Sequence, residues 1–233
     1  MSARKGALEV LTACRTRGAW ADAVLGSHLK GLAPADAGLC SRIAYGVLQN
    51  ETLLDFYLAQ FCSQRLDHLQ PPLADILRIG AYQILFLDRV PDSAAVHTSV
   101  ELAKEAGRGQ AAGLVNAVLR RLCREKENLP PIPDRDEGKY LSIRYSHPKW
   151  LVKRLLALLG REGTEAFLAA GNSLPPLAAQ VNTCRFSTDE AAALLEKEGI
   201  PAERHPWLPD CLLLRETGSL EGLRAFREGA LYI

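Results

Sequence analysis

Along the first half of the chain, apolar residues recur three and four apart, the spacing of one face of an α-helix. Ser2 stands where an N-cap belongs, ahead of Ala7, Leu8, Leu11 and Cys14, and Gly18 follows as a stop. A second helix is predicted over 19–30. Pro34, suited to a first helical turn, opens a third that carries Ile43, Val47 and Leu48. Leu53, Leu54, Tyr57, Leu58 and Phe61 mark a fourth. The pair Pro71-Pro72 opens a fifth, with Ile76, Ile79, Gln83 and Leu87 along it. Asp92 or Ser93 caps a sixth over 94–106, and a seventh over 110–126 spaces Leu114, Val118 and Leu122 at helical intervals. Short loops between seven such helices describe an orthogonal bundle.

The pattern changes after Asn128. Pro130, Pro131 and Pro133 cannot continue a helix, and the charged run Asp134 to Glu137 makes a poor core segment. The expected division is therefore a helical domain over 1–128, a linker over 129–138 and a second domain over 139–233. Residues 150–159 and 162–170 read as helices broken by Gly160. Strands follow at 177–182, 200–204, 211–214 and 230–233. A helix capped by Ser187 or Thr188 and ended by Gly199, and a short one over 219–225, lie between them. The order β-α-β-β-α-β suits a small ferredoxin-like sandwich. The expected fold class is thus mainly α, an all-helical bundle followed by a small α+β domain of ferredoxin or RRM type. Ile233 falls inside an apolar strand with no polar tail, which leads to the expectation of a fragment of a longer protein.

Composition narrows the function classes. Lys plus Arg is 28 and Asp plus Glu is 27, for a formal net charge of +1, so no polybasic protein is present whose charge alone would announce nucleic acid. With 48% hydrophobic and 24% charged residues the chain is also no acidic disordered segment. No apolar run approaches the roughly 18 residues of a membrane helix, and the N-terminus lacks a secretory apolar region, so a cytoplasmic protein without membrane contact is expected. The six cysteines form no CxxC pair and the five histidines show no metal-ligand spacing, so no metal is expected.

Catalytic signatures are absent: there is no GxGxxG, P-loop, GxSxG or HExxH string. Gly107-Arg-Gly109 precedes a helix and could hold one phosphate, although a glycine-containing loop between helices is the commoner explanation. Basic residues offer more. Arg4 and Lys5 open the first helix, Arg15 and Arg17 close it, and Arg120, Arg121, Arg124 and Lys126 crowd the end of the seventh. Cations at a helix C-terminus are favoured by the dipole alone. If the first and seventh helices lie side by side, however, Arg4, Lys5, Arg15, Arg120, Arg121 and Arg124 form a phosphate-contacting patch. A second candidate is Arg144-Tyr-Ser-His-Pro-Lys-Trp150. Arg144, Tyr145 and Lys149, with Trp150, combine phosphate contacts with stacking surfaces. The competing explanation is a clamp between the two domains with Tyr145 and Trp150 buried, Arg144 paired with an acid and His147 capping.

Several strings carry a resemblance. Leu77-Arg-Ile-Gly-Ala-Tyr-Gln-Ile-Leu-Phe-Leu-Asp-Arg-Val-Pro91, Ala94-Ala-Val-His-Thr-Ser-Val-Glu-Leu-Ala-Lys104 and Gly113-Leu-Val-Asn-Ala-Val-Leu-Arg-Arg121 resemble the NusB-like domain of bacterial 16S rRNA cytosine-C5 methyltransferases of the RsmB (Sun/Fmu) type. The Arg144 to Pro148 string with Trp150, Asn172 with Pro175-Pro-Leu177, Val181-Asn182 and Phe226-Arg-Glu-Gly229 resemble the next segment of that family. Gln180 departs from the family pattern, which carries arginine there, and this weakens any RNA-phosphate contact from that position.

The resemblance implies 16S rRNA as partner. It also implies a following Rossmann-like domain that binds S-adenosylmethionine and carries two catalytic cysteines, in Pro-Cys and Thr-Cys motifs. None of those motifs is expected to operate here. Thr183-Cys184 matches one by letters only and precedes the place where a catalytic domain would start. The expected function is thus RNA recognition and substrate positioning for rRNA methylation, by a monomer that holds no cofactor and is inactive on its own. The alternative is a stand-alone NusB-like antitermination module, against which the second domain argues.

Overall fold

The computed structural model describes residues 2–173, 175–215 and 222–233. Ser2 accepts a hydrogen bond from the Lys5 N–H and starts α1 (Ala3–Arg17), which Gly18 closes in the left-handed conformation at φ 61°. There follow α2 (Ala21–Leu29), α3 (Pro34–Gln49), α4 (Glu51–Phe61), α5 (Pro71–Phe86), α6 (Asp92–Glu105) and α7 (Ala112–Glu125). A 3-10 turn at Gly109–Ala111 leads into α7. Every residue of α5 from Leu73 to Ile84 is buried, as expected of a helix enclosed on all sides. α1, α3, α4, α6 and α7 pack around it.

Two glycines permit the closest approaches. A Cβ on Gly46 of α3 would run into the Tyr82 ring of α5, and one on Gly80 of α5 would meet the Leu119 side chain of α7. Tyr82 is buried and stacked on Phe86, with ring centroids 5.2 Å apart, so it cannot yield freely. Gly46→Ala is therefore expected to cost about 1–3 kcal/mol by overpacking, read as a lower urea midpoint at unchanged slope. An unshifted midpoint would mean that Tyr82 turns out of the core without loss.

The proline strip does not end the packing of this unit. Ile132 is buried, and Asp136 caps α8 (Glu137–Arg144) by accepting from the Lys139 N–H at 3.0 Å. The charged run expected to be linker thus contains a helix start. α8 packs on α4. The Leu53 N–H donates to Ser146 Oγ at 3.0 Å, and Gln49 Nε2 donates to the Asn172 carbonyl at 2.9 Å. α9 (Lys149–Gly171) is kinked at Gly160, whose φ is 67°, where the sequence predicted a break. The chain accordingly divides at Asn172/Ser173 rather than within 129–138. Pro133, Asp134, Arg135 and Asp136 remain exposed. Limited tryptic cleavage is expected first at Arg135, with the two pieces co-eluting in gel filtration. Their separation would restore the division at the proline strip.

The second unit is built on a four-stranded antiparallel sheet of order β2-β3-β1-β4. Its strands are β1 (Leu177–Val181), β2 (Ala202–Arg204), β3 (Cys211–Leu214) and β4 (Leu231–Tyr232). β1 pairs Leu177 with Leu214 and Gln180 with Cys211 on one side, and Val181 with Leu231 on the other. Ala179, Val181, Leu212, Leu214 and Leu231 form one core with Ala191 and Leu195 of α10 (Thr188–Lys197) and Ala225 of α11 (Arg224–Arg227). Ser187 and Glu190 form a reciprocal capping box at the start of α10. The β-α-β-β-α-β order is as predicted. Part of the helix predicted over 219–225 lies outside the described residues.

Candidate nucleic-acid interface

α7 presents its cations because its other face is apolar. Val115, Val118, Leu119 and Leu122 are buried against α4, α5 and α6, which leaves Arg120, Arg121 and Arg124 exposed. Arg120 Nε donates to Asn116 Oδ1 at 2.9 Å, one helical turn back. The Arg121 guanidinium lies 5.5 Å from the centre of the Phe61 ring. None of the three forms an ion pair among the described residues. Lys126 does, with Asp92 at 2.8 Å. A groove of about 390 Å³ runs between α6 and α7, with Arg120, Arg124, His97 and Asn116 on its polar side and Val96 and Val100 on its apolar side. Cys123 also lines it; burial, reinforced by the Asp92 charge, pushes its thiol upward and keeps it protonated.

The cations of α1 divide differently. Lys5 is exposed. Arg4 Nε donates to Oε1 of the buried Gln83 at 2.7 Å, and burial lowers the Arg4 pKa against the charge of Asp36. Arg15 joins an internal network: its Nε donates to Asp75 Oδ1 at 2.7 Å and its Nη1 to Glu51 Oε1 at 2.8 Å. α1 and α7 do not form the side-by-side pair expected from the sequence. α1 packs chiefly on α2, α3 and α5, and α7 on α4, α5 and α6. Two helices meet both, the central α5 and, at the surface, α6. Its His97 lines the groove with Arg120 and also a smaller one with Arg4, where Glu101 and Glu105 add negative charge.

The Arg144 to Trp150 segment ties α8 and α9 to the bundle. Tyr145 donates its hydroxyl hydrogen to Glu165 Oε1 at 2.9 Å, and burial together with that carboxylate raises the phenol pKa. Asn172 Nδ2 donates to the Tyr145 carbonyl at 2.9 Å, and His147 Nδ1 lies 2.7 Å from the same oxygen. Ser142 Oγ donates to the His147 carbonyl at 2.6 Å. Ser146, at φ 54°, makes the left-handed turn these bonds require. The clamp between two domains is not what forms: these bonds stay within the first unit, Tyr145 is half-buried, Trp150 is 68% exposed and Arg144 lies over the Tyr145 ring rather than against an acid. Arg144, Lys149 and Trp150 all reach solvent.

In the second unit, Asn182 explains why two separated strings of the sequence belong together. Its Nδ2 donates to the Gly229 carbonyl at 2.9 Å, and its N–H donates to the Ala230 carbonyl at 2.9 Å, which locks the Phe226–Gly229 turn beside β1. Gln180 is a paired residue of β1, and Cys184 is exposed in the turn after it. The described residues do not fit S-adenosylmethionine. Their one sheet is antiparallel, whereas nucleotide cofactors of open α/β sheets sit outside the carboxyl ends of mostly parallel strands, on a glycine-rich turn. No metal-holding cluster of His, Cys, Asp and Glu occurs among the described residues, and no helix among them is long and apolar enough to cross a membrane.

Comparison with known proteins places this architecture. Residues 1–124 match the NusB family, and residues 147–221 match the ferredoxin-like domain of RsmF/B-like methyltransferases. The probable ribosomal RNA small subunit methyltransferase B of Synechocystis is 32% identical over 98% of this chain and 52% of its own length. That of Bacillus subtilis is 31% identical over 100% and 52%, and the ribosomal RNA small subunit methyltransferase B of Pseudomonas putida 34% over 98% and 51%. The chain thus spans about half the length of these relatives. The crystal structure of PH0851 superposes with a TM-score of 0.67 over 99% of this chain and 52% of that one, at 21% identity, which speaks to fold alone. With its α5-centred bundle matched in sequence and its antiparallel sheet matched in the segment that follows, the chain belongs to the NusB family and continues into an RsmF/B-type ferredoxin-like domain.

Proposed function

We propose that this chain is the RNA-recognition and substrate-positioning part of an S-adenosylmethionine-dependent 16S rRNA cytosine-C5 methyltransferase of the cytoplasm. The observation that carries the reading is the exposed face of α7. Arg120, Arg121 and Arg124 stand there without carboxylate partners, beside a groove with an apolar wall. Guanidinium groups in that state suit phosphate oxygens, and an apolar groove wall suits an unstacked base. Lys5 on α1, and Arg144 and Lys149 with Trp150, are further exposed groups of the same unit with the chemistry to contact RNA. Arg4 and Arg15 hold its helices together instead. The relatives' names support rRNA as the substrate class. The resemblance implies that the methyl donor and the reacting cysteines belong to the part of such proteins that this chain does not span.

The reading is tested by fluorescence anisotropy with a 16S rRNA hairpin at increasing salt. Neutralisation of about four phosphates gives a log–log slope of roughly −3, taking about −0.7 per phosphate of a single strand. A slope near zero, or no binding at low salt, would overturn it.

A further inference from the structure

We propose that the cavity between the 64–70 loop and the 107–111 turn is a binding site for a phosphate group, supplied by the RNA backbone or by a free nucleotide. The site lies apart from the groove beside α7 and is carried by Arg108. The Nε of Arg108 is buried from solvent and has no hydrogen-bond partner. The other inward-facing arginines of this unit do not share that state. Arg4 donates to Gln83, Arg15 to Glu51 and Asp75, and Arg78 to Asp55 and Asp75. A buried N–H on a charged group without an acceptor is costly, and such a group calls for an explanation. An oxyanion in the cavity supplies one once the half-buried Arg108 side chain turns its shielded Nε toward it, because guanidinium groups pair with phosphate oxygens through two parallel N–H bonds.

The surroundings agree with that ligand. The cavity measures about 640 Å³, within the usual range for small-molecule sites. Gln64, His68, Gln70 and Gln110 join Arg108 around it, and no carboxylate lines it. Asp67, next to His68 in sequence, is held by Arg65 at 2.6 Å. Leu73 and Leu114 provide an apolar floor on which a sugar or base can rest. Gly107, at φ 71°, turns the chain ahead of Arg108, and the first turn of α7 just beyond has no side-chain cap, which adds the favourable end of a helix dipole. An RNA source rests on the function proposed above; the phosphate site itself does not.

The test uses the whole chain labelled with 15N. Inorganic phosphate, cytidine monophosphate and the 16S rRNA hairpin are titrated separately. The arginine Nε–H resonance of Arg108 and the backbone amide of Gly109 are followed. Arg108→Gln removes the charge, and Arg108→Lys keeps it while removing the Nε–H. Circular dichroism checks that both remain folded. The expected result is a saturable shift at both reporters, with affinity falling about tenfold or more in both variants. Shifts with the hairpin alone assign the phosphate to RNA. Shifts with phosphate and the mononucleotide, together with no hairpin binding anywhere, leave this site standing while the RNA reading fails. Unshifted reporters in all three titrations overturn the site, even if the hairpin still binds through Arg120 and Arg121. Full retention of affinity in Arg108→Lys overturns it too, because a general charge effect would then suffice.

Discussion

Arg78→Ala is expected to destabilise the helical unit by about 3–5 kcal/mol, the loss seen when one partner of a buried ion pair is removed. Arg78 is buried on α5, and its guanidinium reaches three carboxylates. Its Nε and Nη2 donate to the two oxygens of Asp55 at 2.7 and 2.8 Å, and its Nη1 donates to Asp75 Oδ1 at 2.9 Å. Glu51 lies 3.6 Å from Nη2. Burial acts to lower the Arg78 pKa, but these carboxylates outweigh it and the net shift is upward, so the group stays charged throughout the accessible pH range. Asp75 is fully buried, its second oxygen has no hydrogen-bond partner among the described residues, and Arg15 and Arg78 compensate its charge. Truncating Arg78 strips Asp55 of its bidentate partner and leaves Asp75 with Arg15 alone. Urea unfolding followed by circular dichroism measures the effect as a lowered midpoint at constant slope. Arg65→Ala is the control: its pair with Asp67 is solvent-exposed, and no shift is expected. A loss below about 1 kcal/mol in Arg78→Ala would mean that water reaches the network and replaces the guanidinium.

The second large effect concerns RNA. Arg120→Ala combined with Arg121→Ala is expected to reduce the magnitude of the salt slope by about 1.4, which is two phosphates at roughly 0.7 each. If both proteins converge at 1 M salt, where screening removes the electrostatic contribution, that difference amounts to about a 25-fold weaker affinity at 0.1 M. The fold should survive. Both side chains are exposed, Arg120 loses only a bond to Asn116, and Arg121 loses its position over Phe61. Circular dichroism of the double variant should therefore match the parent. An unchanged slope in a folded double variant would move the RNA surface to Arg144, Lys149 and Trp150.

Much of the chain's organisation is legible in local pattern. The helical spacing of Leu114, Val118 and Leu122 foretells which face of α7 turns inward, and therefore that Arg120, Arg121 and Arg124 turn outward. Ser2 and Ser187 act as the caps their positions suggest, and Gly160 breaks the helical path where expected. α8 was hidden because its N-cap, Asp136, sits inside a charged run that reads as linker. The signal that reveals it is Asp136 followed by Leu141 and Ile143, both buried. The strip before it interrupts the helix, but proline governs backbone conformation and not what packs against what. The boundary after Asn172 depends instead on bonds such as the one from Gln49 to Asn172, 123 residues apart.

The same division applies to the candidate site. Helix periodicity is information carried over three and four residues, so local pattern suffices for every helix of the bundle except α8, for their order and for the outward face of α7. Which cations remain free is a different matter. Arg4 is taken up by Gln83 at a separation of 79 residues, and Arg15 by Asp75 at 60. α1 and α7, alike in their basic ends, are kept from forming one packed pair by the way α5 and α6 fill the bundle. Arg108 is the converse case, with no acceptor brought to its buried Nε. These outcomes belong to the packed fold, because an arginine's availability depends on the acceptors brought within about 3 Å of it, and those come from elsewhere in the chain.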